Sequence, residues 1–202
     1  MLIGRGALGR GHAFDDYAFP AFGLPRYTAI APDVESAVVY SIARQESGFN
    51  AKAVSSAHAL GLMQVTPDAG NYIAKKFNVV YDQSRLLNDT VYNMQIGAAG
   101  LADDIGRYNG SYVLAFAGYN AGRGRIKEWI ERYGDPRDPK VDPIDWVERI
   151  PFPETRNYVQ RIIESIQVYR VQLSSDKRLL IEEDLTRGTL PRLKQTATGR
   201  ER

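Results

Sequence analysis

The chain has 202 residues, 44% of them hydrophobic, with a formal net charge of +2, no cysteine and two histidines, His12 and His58. That length supports one sizeable core. The missing cysteines exclude disulfides and thiolate metal sites, and two imidazoles leave a zinc site built on several histidines without ligands. The stretch 174–202 holds seven Lys/Arg against five Asp/Glu, so the whole positive excess lies there and 1–173 is balanced. A neutral body argues against a basic nucleic-acid face.

In chain order, residues 1–31 contain "FDDYAFPAFGLPRY", punctuated by proline and glycine. This is read as an extended arm with aromatic anchors, not a helix. The start lacks the apolar core of a secretory signal, and no run approaches the ~18 apolar residues of a membrane span. From about Pro32 to Ser47, Val34, Val38, Ile42, Gln45 and Phe49 follow one another at helical spacing, with Gly48 as the stop. "NAKAVSSAHALGLMQVTPDAG" has small residues and no helical period, so it predicts a loop with a small hairpin. Thr66-Pro67-Asp68 is an N-cap, a proline at the first helical position and a first-turn acid, opening a helix to about Phe77.

The spacing then predicts a long amphipathic helix over 88–108 and a short apolar, buried one over 111–120. A further helix is expected over 126–133 and a helical turn over 145–149, with "DPRDPKVDP" as the surface loop between them. The last long helix is predicted over 153–173, followed by a tail, 174–202, poorly ordered or partly helical. The body is all-α.

Glu46 lies at the end of the first long helix, about 40° round from Ile42 on the edge of its apolar stripe. An apolar flank and the negative end of a helix dipole both disfavour a carboxylate and raise its pKa. A carboxylic acid kept protonated near neutral pH is what general-acid cleavage of a glycosidic bond needs. Taken alone, the same pattern is read more simply as a surface glutamate paired with Arg44 or Lys52.

Three more stretches follow in order after "ARQESGFNAKAVS": "GLMQVTP" (61–67), "AGYNAGRGRI" (117–126) and "IPFPETRNYV" (150–159). Together, over about 31–173, they resemble the soluble lytic murein transglycosylases of the lysozyme-like superfamily. The resemblance implies a compact helical lysozyme-like domain, all-α or α+β in class, at 32–173. Glu46 falls at the family's catalytic acid position and Ser47 completes its Glu-Ser pair. Ser55, Met63 and Gln64 match positions lining the groove around the scissile bond, and Tyr119 and Asn120 match the Tyr-Asn pair near the acid. Glu154 matches a glutamate facing the groove, with Tyr158 one turn further on. The implied substrate is a peptidoglycan strand, cleaved between N-acetylmuramic acid and N-acetylglucosamine to leave a 1,6-anhydro end, without cofactor or metal, in the periplasm. The arm at 13–27 looks like the joint to a preceding helical region absent from this chain.

The sequence departs from the pattern at two points. Gly118 stands where alanine is frequent, a change that loosens a helix by roughly 0.5–1 kcal/mol. His58 stands where glycine is common, a costly choice if that backbone needs positive φ. Between Ser47 and Pro67 there is no Asp or Glu, so the loop supplies no second carboxylate. Ordinary glycosidases use two, one as acid and one as base or nucleophile. Two other readings stay open: a hydrolytic lysozyme-type muramidase, with Glu154 as the best second carboxylate, and a glycan-binding module without catalysis.

Overall fold

A computed structural model describes residues 15–174 and 178–190. Ten helices account for the fold among them: α1 (Asp15–Ala18), α2 (Ser36–Glu46), α3 (Pro67–Lys76), α4 (Arg85–Asn88), α5 (Thr90–Arg107), α6 (Tyr112–Ala121), α7 (Arg123–Tyr133), α8 (Pro143–Glu148), α9 (Pro153–Leu173) and α10 (Ile181–Thr186). No strand longer than an isolated bridge occurs among the described residues; Val54 pairs with Leu60 and Leu60 with Val65, which closes the loop after α2 on itself.

Side chains set the helix starts. The hydroxyl of Thr66 accepts from Ala69 N at 3.3 Å, the carboxylate of Asp89 from Tyr92 N at 3.0 Å, and that of Asp142 from Ile144 N at 2.7 Å. Each satisfies an amide that the first helical turn leaves without a partner. Pro67, Pro143 and Pro153 occupy first helical positions, where their missing N–H costs nothing. Helix α2 is shorter than the apolar spacing suggests. Val34 precedes it and Phe49 follows it, although both still pack on the core.

Helix α6 is buried over Tyr112–Gly118, as an unbroken apolar run requires. Around it pack α5, α7 and α9, and α9 also lies along α2 in the most extensive helix pair. Ile42, Ile162 and Ile166 are fully buried, and each such side chain contributes roughly 1.5–3 kcal/mol of hydrophobic stabilisation. Two aromatic groups complete the core: Trp129 meets Trp146 edge-on at 6.4 Å, and Phe19 of the arm meets Tyr169 of α9 at 5.9 Å.

The arm read as extended contains one turn of helix, α1, because Ala18 is anchored: Arg44 Nε donates to its carbonyl at 2.9 Å and the guanidinium lies over the Phe19 ring at 3.9 Å. Residues 1–14 lie outside the described part. In the tail, α10 folds back on α9, where Asp184 is buried and accepts from Arg170 Nη1 at 2.6 Å, Arg170 Nη2 at 2.9 Å and Gln167 Nε2 at 2.7 Å. Residues 175–177 and 191–202 lie outside the described part.

Candidate active site

Glu46 is the last residue of α2, and the chain turns sharply after it. Ser47 caps the helix, and Gly48 and Phe49 take φ of +60° and +65°. The Ser47 hydroxyl lies within donor distance of Ala43 O (3.1 Å) and Leu62 O (2.9 Å), so it ties the helix end to the following loop. Arg44 is turned toward Ala18 and Phe19, and the Lys52 ammonium donates to Leu87 O at 3.2 Å and Asn88 Oδ1 at 3.1 Å. The partner of the Glu46 carboxylate comes from α9: Tyr158 donates its phenolic O–H to Glu46 Oε1 at 2.6 Å.

Burial pushes the Glu46 carboxyl up to about 7, with the negative charge of Glu154 adding to the rise and the Tyr158 hydrogen bond opposing it. Desolvation disfavours the charged form, a neighbouring anion does the same, and a donor to the carboxylate favours ionisation. The phenols of Tyr119 and Tyr158 are both pushed well above their ordinary value, first by burial and then by the Glu46 charge. Both therefore remain O–H donors throughout the range in which Glu46 titrates.

The loop that follows Glu46 is clamped from α5. Asn93 is buried. Its Oδ1 accepts from Met63 N at 2.9 Å, and its Nδ2 donates to Leu60 O at 2.8 Å and Leu86 O at 2.7 Å. From α6, Tyr119 O–H donates to Met63 O at 2.8 Å. Gln64 follows with φ of +47°, its Nε2 bonded to Gly61 O at 2.9 Å and Ala53 O at 3.2 Å. A non-glycine residue in the left-handed region is strained, and such strain persists only where the surroundings over-determine the backbone. His58 is held in the same region, at φ +58°, so the glycine-like backbone expected there is present.

A groove of about 530 Å³ opens beside this point. Gln64, Tyr119 and Asn120 line it, and it continues past Gly97, Gly100 and Gly118 to Tyr72, Asp104 and Arg123. Gly97 allows the loop to come close, since a Cβ there would stand 2.3 Å from Met63 Cβ. Thr155 O–H donates to Asn120 Oδ1 at 2.6 Å and fixes the groove's edge to α9.

The residues singled out in the sequence divide accordingly. Glu46 is bonded to Tyr158 and its charge reaches Tyr119, and Tyr119 lines the groove with Gln64 and Asn120. Glu154 stands exposed in the first turn of α9, close enough for its charge to act on Glu46. Met63 is corrected: its side chain is fully buried against Gly97, and only its backbone carbonyl serves the site, because the loop turns the thioether into the core. Ser55 closes the hairpin, its Oγ accepting from Ala59 N at 3.0 Å. Asn93 and Thr155 escaped the sequence reading. Asn93 left one signal, a polar residue on the apolar face of a long helix.

Residues 24–141 match the family model described as Transglycosylase SLT domain. The chain belongs to that family. It is similar to the soluble lytic murein transglycosylase of Salmonella typhimurium, 31% identical over 163 residues, which covers 80% of this chain and 24% of that protein. Among solved structures it is similar to the 70 kDa soluble lytic transglycosylase of Escherichia coli, with a TM-score of 0.66, 32% identity, and coverage of 72% of this chain and 23% of that one. The lytic transglycosylase Slt of Pseudomonas aeruginosa, solved as an inactive mutant, gives a TM-score of 0.60 at 30% identity, covering 84% and 23%. The chain thus spans about a quarter of the length of these relatives.

Proposed function

We propose that this SLT domain is a peptidoglycan lytic transglycosylase, cleaving the β-1,4 bond between N-acetylmuramic acid and N-acetylglucosamine and leaving a 1,6-anhydromuramic end. The observation that carries the reading is the Glu46 carboxyl, raised to about 7, held by Tyr158 and close enough to the groove-lining Tyr119 for its charge to act on that phenol. At neutral pH a large share of it is protonated, ready to donate to the glycosidic oxygen as the bond to C1 breaks. The substrate's own N-acetyl group stabilises the positive charge at C1, as in substrate-assisted exceptions to the two-carboxylate scheme. Glu46, now a carboxylate, takes the proton of the C6 hydroxyl, and that oxygen closes on C1. An intramolecular nucleophile is already near its target and needs little positioning by a second residue.

Tyr158 is the positioning residue for the acid. Tyr119 holds the Met63–Gln64 backbone at the groove, and Gln64 and Asn120 supply polar contacts for the sugar. We assign Ser47 and Ser55 to the loop's shape, through the bonds they make within it. The catalytic unit is taken as 32–173, with the described parts of the arm and the tail, 15–31 and 178–190, packed on it. Activity on peptidoglycan implies a periplasmic setting; no helix among the described residues is long and apolar enough to cross a membrane.

A hydrolytic reading has one observation in its favour, the proximity of the Glu154 charge to Glu46. Mass spectrometry of digested sacculi separates the two. Anhydro ends, absent with Glu46→Gln protein, are expected; reducing muramic ends would favour hydrolysis, and undiminished clearing by Glu46→Gln would remove Glu46 from the chemistry.

A further inference from the structure

Beyond Tyr119 and Asn120 the groove's wall changes character. Its walls there include Tyr72, Asp104 and Arg123, and behind them stand Lys76, Arg107 and Asp103. Arg123 Nη2 pairs with Asp103 at 2.7 Å and its Nε with Asp104 at 2.6 Å. Lys76 is bonded to Asp103, and Arg107 lies 3.9 Å from the same carboxylate. Three cations thus share two carboxylates. The carboxylates are the buried partners, with side chains 5% and 6% exposed, whereas Lys76, Arg107 and Arg123 stand at 41%, 44% and 30%. The positive groups therefore face the solvent. A guanidinium has five N–H donors, more than the two carboxylates and the Tyr72 hydroxyl take up from Arg123. Tyr72 supplies a half-exposed ring, with the Arg123 guanidinium 5.2 Å and the Lys76 ammonium 6.0 Å from its centroid, and Arg107 Nη2 lies 3.5 Å from its hydroxyl.

We propose that this end of the groove is a subsite for a carboxylate on the peptide borne by the substrate strand, with Arg123 as its anchor and Lys76 and Arg107 adding to the positive field. The inference rests on the reading of the groove given under Proposed function and deepens it, since it gives the site a preference for strands whose peptides carry free carboxylates. An N-acetylated sugar backbone offers hydroxyls and amides. Of the three cations Arg123 lines the groove, where its fork-shaped guanidinium can take a carboxylate through two parallel bonds, and with Lys76 and Arg107 behind it the cluster keeps one positive charge in excess of its two carboxylates. The buried Asp103 and Asp104 hold Arg123 in place before the ligand arrives, which lowers the ordering cost of binding.

The test is a binding measurement that requires no turnover. A muramic disaccharide carrying a tripeptide is titrated into the chain by calorimetry, once with free peptide carboxylates and once with those carboxylates converted to amides. The free form is expected to bind about ten-fold tighter, the size of one charge-assisted hydrogen bond. Arg123→Gln is expected to collapse that ratio, and Arg107→Gln, whose contacts with Asp103 and the Tyr72 hydroxyl are both long, to lower it. Equal affinity of the two ligands for the wild-type chain overturns the proposal, as does a ratio unchanged in both variants. If thermal melting finds Arg123→Gln unfolded, the ratio with Arg107→Gln decides alone. Loss of strand cleavage with the ratio intact would speak against the proposed reaction and not against this subsite.

Discussion

Tyr158 and Glu46 are 112 residues apart in sequence, and the O–H of the first donates to the carboxylate of the second at 2.6 Å. The bond spans the packed pair α2 and α9, so the most extensive helix contact among the described residues also orients the candidate acid. It favours the carboxylate against the burial that opposes it.

Removing that donor has a readable sign. Tyr158→Phe keeps the ring and loses only the hydroxyl, so the Glu46 carboxyl moves further up. The alkaline limb of the pH–rate profile is expected to shift to higher pH while the maximal rate falls by about ten-fold, the scale of a lost hydrogen bond to a charged group. An unmoved limb would take Tyr158 out of contact with the acid.

The wild-type profile should fall as pH rises through about 7, where the protonated form of Glu46 is lost. Stability follows the same group. Its folded pKa lies above the unfolded one, so the native state binds more protons between the two values. The favourable contribution of the protonated carboxyl is complete below the unfolded value and disappears as pH rises to about 7. Glu46→Gln cannot ionise, and its Oε1 still accepts from Tyr158. It should be more stable than wild type at pH 8 by on the order of 2 kcal/mol, allowing for partial exposure, and close to it at pH 4. Urea unfolding at the two pH values measures the difference.

Gly97→Ala sets helix propensity against packing. Alanine gains about 0.5–1 kcal/mol in a helix interior, but its Cβ would come within 2.3 Å of Met63 Cβ and 2.6 Å of Met63 Cγ. Overpacking of that kind costs about 1–3 kcal/mol, so the variant should be less stable. It should also be less active, because Met63 carries the carbonyl that Tyr119 binds. A variant as stable as wild type would mean that the loop yields easily.

The tail is pinned by Asp184, which is 1% exposed. Asp184→Ala leaves Arg170, itself 8% exposed, with Glu35 as its remaining carboxylate partner among the described residues. Breaking a buried pair from one side costs about 3–5 kcal/mol. Limited proteolysis should then cut first within 178–190, well before the helical body; resistance equal to wild type would show that α10 is held by other contacts.

Much of the fold was legible because its punctuation is local. Thr66-Pro67 announced α3, and Pro153 opened α9 at the expected residue, since caps and prolines act on backbone groups within one turn. Short elements were not legible. The turn at Asp15–Ala18 and the helix Arg85–Asn88 lack an apolar period, and tertiary contacts such as Arg44 with Ala18 O hold such segments.

The sequence by itself determined that a carboxylate would end an apolar helix, that no second acid would come from the following loop, and that four motifs would stand in a fixed order. Only the tertiary structure decided that Tyr158 grips this carboxylate, that Met63 turns inward and offers its carbonyl alone, and that Arg123 reaches the same groove. Helix propensity and capping depend on neighbours within a turn or so of chain. Desolvation and charge depend on whatever packing brings close, and here the decisive partners arrive from α6, α7 and α9.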